Sequence, residues 1–177
     1  VISHELNNSL APVASLANSA GALISRGQYE RLPQIMKTIE ERAQHLESFI
    51  HGYARFAKLP APRLESAHWP EFVERLQSQL HFRVLGDLPD AIAHFDLAQM
   101  EQALLNLLKN AMESGSPADG VTLEIKNIVD GVRIEVSDQG AGMSDTVMSN
   151  ALGPFYSTKR NGTGLGLALA REIIEAH

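Results

Sequence analysis

Val121-Thr122-Leu123-Glu124-Ile125-Lys126-Asn127-Ile128-Val129-Asp130-Gly131-Val132-Arg133-Ile134-Glu135-Val136-Ser137-Asp138-Gln139-Gly140-Ala141-Gly142 is the stretch that decides the fold. Apolar and polar residues alternate over 121–129 and again over 132–137, the period of a strand with one buried face. Asp130-Gly131 between them is a tight-hairpin signal. Working outward, residues 97–114 read as a strong helix that Gly115-Ser116-Pro117 ends. Residues 163–176 resume as helix after a glycine-rich stretch. Upstream, 71–80 look helical, and 82–85 and 91–95 look like short strands. The pattern predicts an α+β fold, with helices on one face of a largely antiparallel sheet.

The N-terminal third differs. Ile2, Leu6, Leu10, Val13, Leu16, Ala20 and Leu23 recur at steps of three and four, which lays an apolar stripe along a helix. Gly27 interrupts. A second stripe follows through Ile35, Ile39, Ala43, Leu46, Phe49, Ile50, Tyr53 and Phe56. A short connection makes the pair an antiparallel hairpin. Two helices enclose no core, so dimerisation into a four-helix bundle is expected; the alternative is packing on the second domain. Leu59-Pro60-Ala61-Pro62 reads as a linker, because proline cannot continue a helix. The expected organisation is a hairpin over 1–58, a linker over 59–66 and an α/β-sandwich domain over 67–177.

Composition narrows the chemistry. The 177 residues are 44% hydrophobic, enough for a real core, and carry a formal net charge of −6. An acidic balance argues against a nucleic-acid binder. The absence of cysteine removes disulfides, thiol catalysis and Cys-ligated zinc, and fits a reducing compartment. No apolar run approaches the length of a membrane span. The chain starts without Met in mid-helix, so it is expected to be a cytoplasmic fragment, joined to a membrane only through upstream segments.

Three pieces carry chemistry. Asp138-Gln139-Gly140-Ala141-Gly142 places a carboxylate at a strand end, able to accept a hydrogen bond from an exocyclic amine such as adenine's. Gly140 and Gly142 let the backbone approach a flat ring, although such a run is often only a turn. Gly162-Thr163-Gly164-Leu165-Gly166 opens a helix, where exposed N–H groups and the helix dipole favour phosphate. Neither the dinucleotide fingerprint nor the Walker A pattern fits it. Asn106 and Asn110 share a helix face and could offer amide oxygens to Mg2+; alone, such a pair is ordinary.

In order and context these pieces resemble the ATP-binding domain shared by histidine kinases and the GHKL ATPases. Residues 106–111 resemble the N box, 138–142 the G1 box, and 162–167 the G2 box. Gly153-Pro154-Phe155-Tyr156-Ser157-Thr158-Lys159 is similar to the F box and the ATP lid. The resemblance implies that Asn110, helped by Asn106, holds Mg2+, and that Asp138 reads the adenine. It implies that Lys109, Lys159 and Arg160 meet the phosphates, and that Phe155 anchors the lid. Ser3-His4-Glu5-Leu6-Asn7-Asn8 resembles the H box of sensor histidine kinases, closest to the NtrB-like and NtrY-like members. That implies phosphorylation of His4 by ATP, with Glu5 assisting the ring, and transfer to an aspartate of a response regulator receiver domain. Asn8 would serve a phosphatase activity. A zinc helix would need a second His where Asn8 stands. The alternatives are a GHKL ATPase that drives a conformational cycle and a degenerate nucleotide-binding scaffold.

Overall fold

The computed structural model describes residues 2–159 and 162–177; for residues 2–9 and for Arg55 it describes the backbone only. Val1, Arg160 and Asn161 lie outside the described residues. The chain forms two compact units. The first comprises Val1–Lys58 and Lys159–Thr163, the second Leu59–Thr158 and Gly164–His177.

The first unit is a helical hairpin of α1 (Ile2–Ser25) and α2 (Leu32–Ala57). Gly27 ends the first helix for a definite reason. At φ +69 it lets Gln28 N–H reach the Leu23 carbonyl at 2.9 Å while its own N–H reaches the Ile24 carbonyl at 3.1 Å. This pair of bonds satisfies carbonyls that a helix end otherwise leaves open. Pro12 sits inside α1 and has no N–H for the carbonyl of residue 8, which weakens the ladder there. Val13, Leu16, Ala20 and Leu23 are half-buried, as are Ile35, Ile39 and Leu46 across from them. Phe49 alone among the described hairpin side chains is fully buried, while Leu10, Ile24, Met36 and Ile50 are exposed. The stripes meet, but one hairpin covers only part of them.

The second unit holds β1 (Glu65–Ala67), α3 (Trp69–Gln77), β2 (Arg83–Leu85), β3 (Ala93–Phe95), α4 (Leu97–Met112), β4 (Thr122–Ile128), β5 (Gly131–Ser137), α5 (Asp145–Asn150) and α6 (Gly166–Ala176). β1 pairs with β3 antiparallel, while β2, β4 and β5 form a second sheet in that order. Trp69, Phe72 and Phe95 meet edge-on or tilted, with centroids 5.0–6.2 Å apart. They continue the core through Leu104, Leu108, Leu123 and Ile125.

Several expectations change. The strand pairing is largely antiparallel, but β2 runs parallel to β4, which requires the long crossover that carries β3 and α4. The hairpin turn is Val129-Asp130, one residue earlier than the Asp130-Gly131 signal, and Gly131 pairs with Ile128. Register follows the inward pairs Leu123–Val136 and Ile125–Ile134, since a one-residue slip would turn them all outward. Helix α3 starts at Trp69, with Pro70 in its first turn. Residues 163–165 lie before α6 rather than within it. The linker expected over 59–66 is fastened to the second unit. Gln99 Nε2 donates to the Pro60 carbonyl at 3.0 Å, Arg63 N–H donates to Asp96 Oδ2 at 2.9 Å, and Glu65 and Ser66 belong to β1.

Candidate nucleotide site

Helix α4 organises the site. Its start is fixed by Asp96, whose Oδ1 accepts from Gln99 N–H at 3.0 Å, an N-cap. Those bonds, led by the one from Arg63, hold the Asp96 carboxyl below its ordinary value of 3.8. Met100, Leu104, Leu108 and Ala111 are buried on the core side; Leu105 and Leu107 are half-buried. Asn106 and Asn110 are half-buried and Lys109 is exposed.

Two ends of the site meet α4. In its C-terminal half, Asn106 lies against the start of α6. A Cβ on Gly166 would stand 3.8 Å from Asn106 Cγ and Oδ1, an ordinary contact. Asn106 Nδ2 is buried without a partner among the described residues. Past its C-terminus, Ser114 and Ser116 grip the loop after β5. Ser114 Oγ lies 2.8 Å from Asp138 Oδ1, Gln139 N–H donates to Ser116 Oγ at 3.0 Å, and Ala141 N–H donates to the Ser114 carbonyl at 3.1 Å. Asp138 Oδ1 also accepts from Gly140 N–H at 2.8 Å. Its Oδ2 takes neither bond. Asn106 and Ser114 are eight residues apart, so the two contacts lie at different points along α4 and its end.

Among the described residues no side chain caps the α6 N-terminus. N–H groups and the helix dipole at such an end favour a ligand anion. Gly164 precedes it at φ +65, and a Cβ there would lie 2.5 Å from Phe155 C and Tyr156 N. The glycine is required by the backbone of residues 155 and 156, before any phosphate is considered. Phe155 is itself left-handed at φ +66, and its N–H donates to the Gly164 carbonyl at 2.8 Å. Gly140 has a similar cause: a Cβ there would collide with the Ser114 side chain, so helix packing rather than a flat ring demands it.

The remaining expected residues stand as follows. Gly142 lies in the loop after Asp138, and Leu165 is buried at the N-cap of α6. Lys159, Gly162 and Thr163 belong to the first compact unit, where Gly162 N–H donates to the Lys159 carbonyl at 3.2 Å. Arg160 and the side chains of His4, Glu5 and Asn8 lie outside the described residues; the backbone at positions 4, 5 and 8 is in α1. Sequence reasoning missed Ser114 and Ser116. It read 115–117 only as a helix stop, and a serine after a helix carries no mark of a partner 24 residues away. It also missed α5, which Ser144 caps by accepting from Val147 N–H at 3.4 Å. No group of three His, Asp or Glu side chains suited to a metal occurs among the described residues.

A family model described as histidine kinase-, DNA gyrase B- and HSP90-like ATPase matches residues 95–177. These residues form an ATPase domain of that family. The likeness extends through the hairpin. The C4-dicarboxylate transport sensor protein DctB of Rhizobium meliloti is 29% identical over 98% of this chain and 30% of its own length. A structure of full-length ShkA in complex with AMPPNP is 25% identical, with TM-score 0.62 over 83% of this chain and 34% of that one. Histidine kinase ThkA, in complex with response regulator protein TrrA, shares the fold at TM-score 0.68 and 19% identity over 96% of this chain and 53% of that one. The chain is similar to sensor histidine kinases along nearly its whole length, and it spans about a quarter to two fifths of the length of the curated relatives it matches.

Proposed function

We infer that this chain is the core of a sensor histidine kinase that transfers the γ-phosphoryl group of ATP to His4 and then to an aspartate of a response regulator receiver domain. The observation that carries the ATP reading is that α4 meets the α6 N-terminus at Asn106 while Ser114, just past its end, holds Asp138. Asp138 Oδ2 would accept from the adenine amine, and the α6 N–H groups would face the phosphates. Lys109, with Lys159 and Arg160 from the lid stretch, would add positive charge. Asn110 and Asn106 would hold Mg2+ through amide oxygens. Two amides without a carboxylate cage suit an ion that keeps waters and phosphate oxygens as its other ligands. Bound there, Mg2+ would supply charge neutralisation on the phosphates.

The kinase reading over a plain ATPase rests on Ser3-His4-Glu5-Leu6-Asn7-Asn8 within α1. A neutral imidazole nitrogen is a competent nucleophile near pH 7. Glu5 would offset the positive charge that grows on the ring, and Asn8, one turn on, would place a water for phosphatase activity toward the regulator. Phe155 would anchor the lid over the nucleotide. Because residues 59–66 are fastened to the second unit, a pivot that brings ATP to His4 falls near Lys58. The half-covered stripes of α1 and α2 favour a homodimer through the hairpin. No helix of the described residues is long and apolar enough to cross a membrane.

The test uses labelled ATP. Wild type should acquire acid-labile phosphate, while His4→Gln binds nucleotide and acquires none. Labelling of His4→Gln at the wild-type level refutes the assignment.

A further inference from the structure

We propose that Ser114 is a positioning residue for base recognition: its hydroxyl holds one oxygen of Asp138 so that the other faces the 6-amino group of the purine. The inference rests on the reading of Asp138 given above and extends it to a residue outside every motif in the sequence. Ser114 Oγ has one proton and two acceptors in reach, the Ala111 carbonyl at 2.7 Å and Asp138 Oδ1 at 2.8 Å. A carboxylate oxygen is a stronger acceptor than a peptide carbonyl, so the proton goes to Asp138 Oδ1. Gly140 N–H donates to the same oxygen at 2.8 Å.

Two donors converging on Oδ1, one from the end of α4 and one from the loop, fix the rotation of the carboxylate. Oδ2 is then the oxygen presented to a ligand. Without the hydroxyl, only the Gly140 N–H remains, and a single donor lets the group turn. The fit at this point is tight, because a Cβ on Gly140 would collide with the Ser114 side chain and would stand 2.6 Å from the Ser114 carbonyl oxygen. The hydroxyl is thus confined by its neighbour.

The experiment compares ATP with purine riboside triphosphate, which lacks the 6-amino group, by calorimetric titration of the full chain with Mg2+. Wild type should prefer ATP. In Ser114→Ala the preference should fall about 3- to 10-fold, the size of one net hydrogen bond, with affinity for purine riboside triphosphate changed by less than about twofold. Ser114→Thr, which keeps a hydroxyl, should retain the wild-type preference. In an Asp138→Asn background Ser114→Ala should remove nothing further, since its effect runs through the carboxylate. An unchanged preference in Ser114→Ala, an equal loss for both nucleotides, or the same loss without the Asp138 carboxylate overturns the proposal. Retention of the wild-type preference by Asp138→Asn instead overturns the reading of Asp138 itself, and Ser114's role with it. Melting curves confirm that each variant folds; if Ser114→Ala does not, Ser114→Cys, a weak donor of similar shape, takes its place in the same comparison.

Discussion

Replacing Gly164 by alanine tests how the phosphate loop is held. The new Cβ would stand 2.5 Å from Phe155 C and Tyr156 N and 2.8 Å from Phe155 Cα, all backbone atoms. Carbon contacts settle at about 3.5 Å or more, so the backbone at 155–156 must retreat by about 1 Å. That retreat breaks the 2.8 Å bond from Phe155 N–H to the Gly164 carbonyl, a loss of about 1 kcal/mol. Alanine at φ +65 adds about 1–2 kcal/mol of left-handed strain. The sum is about 2–3 kcal/mol. At about 4–8 °C per kcal/mol for a domain of this size, melting should fall by roughly 10–20 °C. If the loop yields locally instead, the fall is smaller and the loss appears as weaker MgATP binding, since Gly164 sits just ahead of α6. Gly142→Ala is the control. It also lies at φ +70, but its Cβ would meet nothing within 4 Å, so only the conformational strain applies. Scanning calorimetry and nucleotide titration on both variants decide the matter. Equal behaviour of the two in melting and in affinity would refute the packing argument.

Asp96→Ala should cost about 1–2 kcal/mol at neutral pH, because it removes the α4 cap and the bond to Arg63 N–H. The folded carboxyl lies below its unfolded value of 3.8, so the stabilisation is full above that value and fades as pH falls through the folded one. The stability gap between wild type and variant, followed by denaturant titration from about pH 6 downward, should therefore shrink on acidification; a gap that widens would contradict the sign. At the hairpin, Ile24→Glu with Ile50→Glu places charge on exposed apolar positions. Sedimentation should show a shift from dimer toward monomer, and an unchanged dimer would mean that these residues lie outside the interface.

Much of the fold was legible because it is written locally. The α4 stripe, the β4–β5 alternation and the two hairpin stripes each repeat within a few residues. Gly27 as a helix stop was equally plain. The rest was hidden in proportion to its lack of period. β1 has three residues and no alternation to read, and α5 has six and no buried residue. The parallel pairing of β2 with β4 joins segments about 40 residues apart, for which the chain carries no local sign. The glycines show the same division. Their presence pointed to a nucleotide loop, but the cause differs: Gly140 yields to Ser114, and Gly164 to the backbone at Phe155.

By itself the sequence determined which residues could carry ATP chemistry, in what order, and on which kind of element. Those properties follow from residue type and short-range spacing. Tertiary structure alone decided which oxygen of Asp138 is left open, why two glycines admit no side chain, and that the supposed linker is bound down. Each of these depends on atoms brought within 3 Å of one another from distant points of the chain. Hydrogen bonds and steric overlap act only over that range, so packing, and not pattern, selects them.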